Sequence, residues 1–269
     1  MSTLLRLNYA CQKGVLNQSN YTSTLLIGCN KPEEVFPDDQ KKLSLIHSQK
    51  DISDKAKACG IKIGIYGEKY YDLVILSIPR SKSESFFLIS KAFRFLKQKK
   101  TLIIEGQKEN GIDSIINQLK KYFVLESIFA KGHGKLVSLK KPQVLPNIIN
   151  MWENLGNPKK IESNYVTIPG VFSESKIAPA SRFLAEVSRG HLKGCVADFG
   201  SGWGYLSAEA LKSSQQITTI TLYEINYYAL QISKINVSDE RATFEWVDIL
   251  TYEPKKIKFD TIVCNPPFH

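Results

Sequence analysis

Paired cysteines, long apolar runs and a leader-like start are all missing from this 269-residue sequence. The five cysteines (Cys11, Cys29, Cys59, Cys195, Cys264) lie far apart with no C-x-x-C pair. That excludes a zinc ribbon or a disulfide framework and suits a reducing cytoplasm, where free cysteine is usually a small buried hydrophobe. No stretch approaches the roughly 18 to 20 apolar residues that a membrane span needs. Met1 to Ala10 carries one arginine and mixed polarity, so it does not read as a signal peptide. What remains is ordinary for a soluble globular protein: 43% hydrophobic and 23% charged residues, in a chain long enough for two domains with separate cores.

The net charge of +10 is unevenly held. Residues 1–145 carry 24 Lys/Arg against 13 Asp/Glu, and residues 146–269 carry 12 against 13. All the excess positive charge therefore belongs to the first half, as expected of a domain that meets a polyanion. A lysine-rich solvated surface would give the same balance.

The second half alternates strand-like and helix-like segments, the pattern of an α/β fold. A short apolar run, Gly194 to Asp198, ends on a carboxylate and meets the turn Gly200, Gly202, Gly204. A helix is expected over Tyr205 to Ser213, a β-branched strand over Ile217 to Tyr223 ending on Glu224, and a helix over Tyr227 to Val237. Ala242 to Val247, ending on Asp248, and Asp260 to Cys264 read as further strands.

The first half repeats this plan faintly. Ser23 to Ile27, Lys42 to His47 and Lys62 to Tyr66 are strand candidates, the first followed by Gly28-Cys29-Asn30. The clearest match sets Tyr71-Asp72 and the run to Pro79 against Phe259-Asp260 and the run to Pro267. We read an internal duplication. The first copy continues through a helix (Glu84 to Leu96), a strand (Thr101 to Glu105), a helix (Ile112 to Tyr122) and a hairpin (Val124 to Phe129 with Leu136 to Leu139). The second copy has no counterpart of these after His269, so its catalytic domain is expected to be cut short after the fourth strand, leaving that strand at an edge. The expected organisation is two tandem Rossmann-like α/β domains: 1–141 degenerate and basic, 142–165 a linker holding one short helix, and 166–269 catalytic.

Val196 to Gly204 (VADFGSGWG) is the strongest ligand signal. A tight glycine turn between a strand and a helix lets backbone amides approach a ligand closely. Its glycines alternate, unlike G-x-G-x-x-G, and Asp198 stands two residues before the first. This resembles the D/E-x-G-x-G-x-G turn of class I methyltransferases, which cradles S-adenosylmethionine, and it implicates Asp198, Gly200, Ser201, Gly202 and Gly204. Glu224, 20 residues after Gly204, stands where a strand-end carboxylate can accept ribose hydroxyls, and Asp248 where one can take an adenine amino group.

Asn265-Pro266-Pro267-Phe268 decides the reaction class. It resembles the (N/D/S)-P-P-(Y/F/W) motif of amino-methyltransferases. An exocyclic amine on a base is a poor nucleophile because its lone pair is delocalised. Carbonyls of Asn265 and Pro266 can accept its two N–H bonds and aim the lone pair at a methyl, while Phe268 offers a face for the flipped base. Positioning and electrostatics then supply most of the acceleration, and no metal is called for. The first copy carries Ser77-Ile78-Pro79-Arg80 at this place and no alternating glycines, so it is expected to bind no cofactor. Its Arg94, Lys97, Lys99, Lys100, Lys131, Lys135, Lys140 and Lys141 are candidates for gripping phosphates, and His133 reads as a turn residue.

A basic, degenerate copy fused to an intact one with N-P-P-F resembles the small-subunit ribosomal RNA methyltransferase C family (RsmC), from about Ser23 to His269. Pro169-Gly170-Val171-Phe172-Ser173 is similar to the family's P-G-V-F-S segment. The resemblance implies N2-methylation of a guanine in 16S rRNA within the small ribosomal subunit, with S-adenosylmethionine as cofactor, by a cytoplasmic monomer. Asp198, Gly200, Glu224 and Asp248 would meet the cofactor, and Asn265 to Phe268 the guanine. The family's D-x-G-(S/T) segment appears as Ile177-Ala178-Pro179-Ala180-Ser181, where only Ser181 survives. Three rivals stand beside this reading: a large-subunit rRNA guanine, a protein glutamine amide, and a non-catalytic RNA-binding module. Glutamine-methylating enzymes typically show N-P-P-Y and a helical first domain, whereas this first half looks α/β and strongly basic, and a pure binding module would ignore S-adenosylmethionine.

Overall fold

The computed structural model describes residues 2–64, 70–253 and 258–266. The chain divides into two units, Met1–His47 with Ile52–Asn157, and Ser48–Asp51 with Pro158–His269.

The first unit runs α1 (Ser2–Gln12), β1 (Thr24–Ile27), β2 (Leu43–Ile46), α2 (Lys50–Ala58), β3 (Lys62–Ile63), β4 (Tyr71–Ser77), α3 (Lys82–Phe95), β5 (Leu96–Gln107), α4 (Ile112–Leu119), β6 (Leu125–Lys131), β7 (Gly134–Lys140) and α5 (Ile148–Asn154). Its sheet has the order β3-β2-β1-β4-β5-β7-β6, and β7 alone runs against its neighbours. Both faces are covered, so the central strands are apolar at nearly every position instead of alternating. Leu25, Ile27, Val74, Leu76, Leu102 and Ile104 feed one core with Ile89 and Phe93 of α3. Leu26, Leu73, Ile75 and Ile103 feed the other with Leu7 of α1 and Ala56 of α2. The start of α3 is set by Ser81, whose hydroxyl accepts from the Glu84 amide in an S-x-x-E cap.

The segment 142–165, expected as a linker, is in its first part a piece of the first unit. Ile149 and Trp152 of α5 are buried, Trp152 stacks on Phe86 with ring centroids 4.7 Å apart, and Glu153 bridges Lys91 and Arg94 of α3. Two large apolar side chains on one helical face outweigh the prolines around them.

The second unit continues with β8 (Lys159–Lys160), β9 (Val166–Thr167), α6 (Pro179–Val187), β10 (Gly194–Phe199), α7 (Tyr205–Ser213), β11 (Ile217–Glu224), α8 (Tyr227–Asn236), β12 (Ala242–Trp246) and β13 (Thr261–Cys264). Its four-stranded sheet, β12-β11-β10-β13, is parallel throughout. Val196, Ile220 and Leu222 pack one face against Leu211 of α7 and Ala229 and Ile232 of α8. An edge-to-face cluster of Phe199, Tyr223 and Phe259 lies on the other. Among the described residues β13 is an edge strand.

The duplication is visible in this geometry. The order β12-β11-β10-β13 repeats β3-β2-β1-β4. Thr24 pairs with Leu73 as Val196 pairs with Thr261. The amides of Asp72 and Asp260 donate to Ser23 and Cys195 carbonyls, at 3.0 and 2.8 Å. Those of Gly28 and Gly200 donate to Ile46 and Tyr223 carbonyls, at 3.0 and 2.9 Å. Position 28 therefore corresponds to 200, and Ser77 to Asn265.

Candidate functional site

At the end of β10 the chain turns through Gly200 (φ 71°) and Gly202 (φ 56°), a left-handed backbone that glycine adopts without strain. A side chain added at either position would meet nothing within 4 Å, so both face open space. Asp198, fully buried beneath the turn, accepts a hydrogen bond from the Ser207 hydroxyl at 2.6 Å. Its other carboxylate oxygen, and the buried Ser201 hydroxyl, have no partner among the described residues. Glu224 closes the turn from β11: one oxygen accepts from the Gly202 amide and the other from the Asn226 amide, both at 2.7 Å. Burial pushes the Glu224 carboxyl up, against the amides of Asn226, Gly202 and Ile225 that favour its charged form.

The segment before α6 completes the site. The Trp203 indole donates to the Phe172 carbonyl at 3.0 Å, pinning the P-G-V-F-S stretch to the glycine turn. Asn236, at the end of α8, donates to the Val166 and Trp203 carbonyls at 2.9 and 2.8 Å. Asn265, directly after β13, donates its side-chain amide to the Ser181 hydroxyl of α6 at 2.7 Å. Phe172, Ser181, Gly200, Ser201, Gly202 and Asn265 line one open cleft. Cradle glycines, two orphaned buried oxygens and a carboxamide 2.7 Å from a hydroxyl fit a polar, nucleoside-bearing cofactor beside an amine acceptor.

Two family profiles match the chain: "Methyltransferase small domain N-terminal" over residues 23–143 and "Methyltransferase small domain" over residues 162–269. Curated relatives include the ribosomal RNA small subunit methyltransferase C of Buchnera aphidicola subsp. Acyrthosiphon pisum, 33% identical over 204 residues, which covers 74% of this chain and 58% of that protein. The protein of the same name from Shewanella loihica is 33% identical over 209 residues, covering 74% of this chain and 59% of that one. The chain belongs to the ribosomal RNA small subunit methyltransferase C family. It spans about three fifths of the length of the curated relatives it matches. Among solved structures, the Thermus thermophilus 16S rRNA N2 G1207 methyltransferase (RsmC), in complex with AdoMet and guanosine, shares the fold at 20% identity. Its TM-score is 0.78, covering 100% of this chain and 76% of that one.

Within this methyltransferase C fold not every expected site residue reaches the cleft. Gly200, Ser201, Gly202 and Asn265 line it, while Asp198 and Glu224 brace it from below. Gly204 does something else: a side chain there would come within 2.8 Å of Val237 and 3.0 Å of Ser233, so this glycine lets α7 start hard against α8. Asp248 lies two residues beyond β12, is half-buried, and accepts from the Leu250 amide at 3.0 Å in a local turn. Pro266 is exposed next to Asn265, and Pro267 and Phe268 lie outside the described residues. Sequence reasoning missed Ser207, Trp203 and Asn236. Only the tryptophan inside the glycine turn offered a signal.

The first unit differs at the corresponding positions. A side chain on Gly28 (φ 67°) would meet the Ser77 carbonyl at 2.8 Å, so its turn is closed against β4 where the second unit's is open. Of the basic residues expected to face phosphates, Lys141 is a correction: it is buried, donates to the Leu96 carbonyl at 2.7 Å, and burial, aided by Arg94, lowers its pKa. A buried ammonium on the sheet's last strand end needed that carbonyl more than solvent. Lys97 and Lys100 face Asp72, Lys135 faces Asp113 and Lys140 faces Glu126, with the lysines still partly exposed. The Lys135 and Lys140 pairs are exposed on both sides and worth little, whereas Lys97 and Lys100 neutralise a buried carboxylate, Asp72, whose pKa they help to hold down. His133 (φ 55°) sits in the turn between β6 and β7. Among the described residues no group of three or more His, Cys, Asp or Glu is placed to hold a metal, and no helix is long and apolar enough to cross a membrane.

Burial pushes the Asp198 carboxyl up to about 7, opposed by the Ser207 hydroxyl and reinforced by the nearby Glu224 charge. Its folded pKa is thus raised above that of the unfolded chain, so the fold prefers the neutral acid. This group's contribution is complete below about pH 4 and is lost as pH rises through 7. Asp198→Asn is expected to stabilise the ligand-free protein at pH 8 by a few kcal/mol, at about 1.4 kcal/mol per pKa unit, with the gain shrinking toward pH 4. Urea unfolding at the two pH values measures it. An equal effect at both would show that the carboxyl ionises freely.

Proposed function

We propose that this chain methylates the exocyclic N2 of a guanine in 16S rRNA within the small ribosomal subunit, with S-adenosylmethionine as donor, acting as a cytoplasmic monomer. The observation that carries the reading is Asn265 in one cleft with the glycine turn, its amide nitrogen held by Ser181. S-adenosylmethionine, when bound, supplies a methyl group activated on a sulfonium. Asp198, Gly200, Ser201, Gly202 and Glu224 would hold it, with Asp248 as an outlying contact to the adenine end and Gly204 setting the turn. The Asn265 carbonyl accepts from the guanine amine and stabilises the positive charge that develops on its nitrogen, and the Pro266 carbonyl accepts the second N–H. Phe268 stacks on the base. The first unit, with its closed turn and its charge excess, grips the RNA backbone without binding cofactor. We assign residues 1–141 to that grip and 166–269 to the chemistry.

Glu224 tests the cofactor half of this reading. It holds the Gly202 amide and keeps lone pairs for hydroxyl donors. Each charge-assisted hydrogen bond lost is worth roughly 1.5 to 3 kcal/mol, so Glu224→Ala is expected to weaken S-adenosylmethionine binding by at least about tenfold in calorimetry. Unchanged affinity would take Glu224 out of the site.

A further inference from the structure

A carboxamide has two ends of nearly equal size and opposite chemistry, and methyl transfer to an amine can use only one of them. Asn265 directly follows β13, and its side chain needs a partner to be held in one orientation. The lock comes from 84 residues away, where the Ser181 hydroxyl accepts from the Asn265 amide nitrogen at 2.7 Å. With the nitrogen committed there, the carbonyl oxygen is the end left over, with no partner among the described residues.

Ser181 is itself fixed. It stands in the first turn of α6, whose Pro179 presets the backbone and whose Arg182 amide donates to the Ala178 carbonyl at 3.0 Å. Ile177, just before the helix, is plugged into the second unit's core. Glu162 clamps both ends of this stretch, accepting from the Ile177 amide at 2.8 Å and from the Arg182 guanidinium at 2.6 Å. A hydroxyl on a helix start anchored in three ways is a suitable reference point for a flexible amide.

We propose that Ser181 is a positioning residue: it anchors the Asn265 carboxamide by its nitrogen, in the orientation that leaves the carbonyl for the acceptor amine. This rests on the guanine-methylation reading of the site. It replaces a contact to the cofactor, the other role open to a serine in this cleft. The hydroxyl could also donate to the Asn265 carbonyl, but only by occupying the lone pair that the reaction needs, so the productive arrangement is the one seen, with the nitrogen on Ser181.

The experiment uses the full-length protein, folded variants checked by melting temperature, and two readouts: single-turnover methyl transfer to undermethylated small-subunit particles, and S-adenosylmethionine affinity by calorimetry. Ser181→Ala is expected to slow transfer by about tenfold, the scale of one hydrogen bond, with cofactor affinity changed less than about twofold. Ser181→Thr should restore most of the rate. Asn265→Asp presents acceptor oxygens at both ends, so in that background Ser181→Ala should slow transfer by less than about twofold more. A tenfold loss of cofactor affinity in Ser181→Ala, an undiminished tenfold loss of rate in the Asn265→Asp background, or no loss of rate at all would each overturn the assignment. Failure of the guanine reading shows earlier and differently, as wild-type protein that binds cofactor and leaves guanine unmethylated, and it would overturn both.

Discussion

Asn265→Ala is expected to lower turnover by about a hundredfold or more while leaving S-adenosylmethionine affinity nearly unchanged. The scale is that of removing one preorganised electrostatic partner from a developing charge. In the ground state the guanine amine is close to planar and nearly neutral, and its N–H bonds are content with water. As the methyl moves across, the nitrogen becomes tetrahedral and positive, so the carbonyl interaction strengthens where it matters for rate. The cofactor is spared because Asn265 meets the cleft from β13, whereas the glycine turn and its braces belong to β10 and β11. Rate and affinity should therefore separate cleanly, with kcat reduced and the binding constant preserved. A parallel loss of cofactor affinity would mean that Asn265 supports the turn instead of the acceptor.

Glu105→Ala is expected to destabilise the first unit by about 3 to 5 kcal/mol, the range for removing one partner of a buried ion pair. Arg6 of α1 and Glu105 of β5 are each only 1% exposed. The guanidinium Nε donates to the carboxylate at 2.9 Å, a terminal nitrogen donates to the same oxygen, and the Thr3 hydroxyl donates to the other oxygen at 2.9 Å. Removing the carboxylate strands a buried cation, which is far worse than removing both charges. Arg6→Met combined with Glu105→Leu should recover much of the loss, and salt should change the single-variant effect little because the pair is shielded from solvent. Urea unfolding of these variants is the measurement. A loss under about 1 kcal/mol for Glu105→Ala would mean that water reaches the pair.

What could be read from sequence was what local chemistry dictates. The helix over Tyr205 to Ser213 agrees with α7 at both ends because a glycine turn starts it. The strand ending on Glu224 and the helix after it agree within a residue, where β-branched residues give way to an Asn226 cap accepting from the Tyr228 and Ala229 amides. The Tyr71–Asp72 and Phe259–Asp260 match proved to be one structural position met twice. What could not be read depends on partners distant in sequence. Lys141 looks like any other surface lysine until its strand end places it against Leu96. Gly204 belongs to the same glycine series as Gly200, and only the approach of α8 gives it a different task. The sequence places Asp248 at a strand end, but β12 stops at Trp246 and the carboxylate turns to a local amide. Likewise α1 gave no periodic signal strong enough to announce Arg6, whose burial exists only because Glu105 waits on β5.

The most direct measurement of the central claim is the chemical identity of the methylated product. Undermethylated small-subunit particles would be incubated with the full-length protein and methyl-labelled S-adenosylmethionine, their RNA digested to nucleosides, and the labelled species identified by mass spectrometry. Label is expected in N2-methylguanosine from 16S rRNA, and is expected to be lost with Asn265→Ala. Label in a methylated adenosine, in large-subunit rRNA or in a protein glutamine, or no transfer despite cofactor binding, would contradict it.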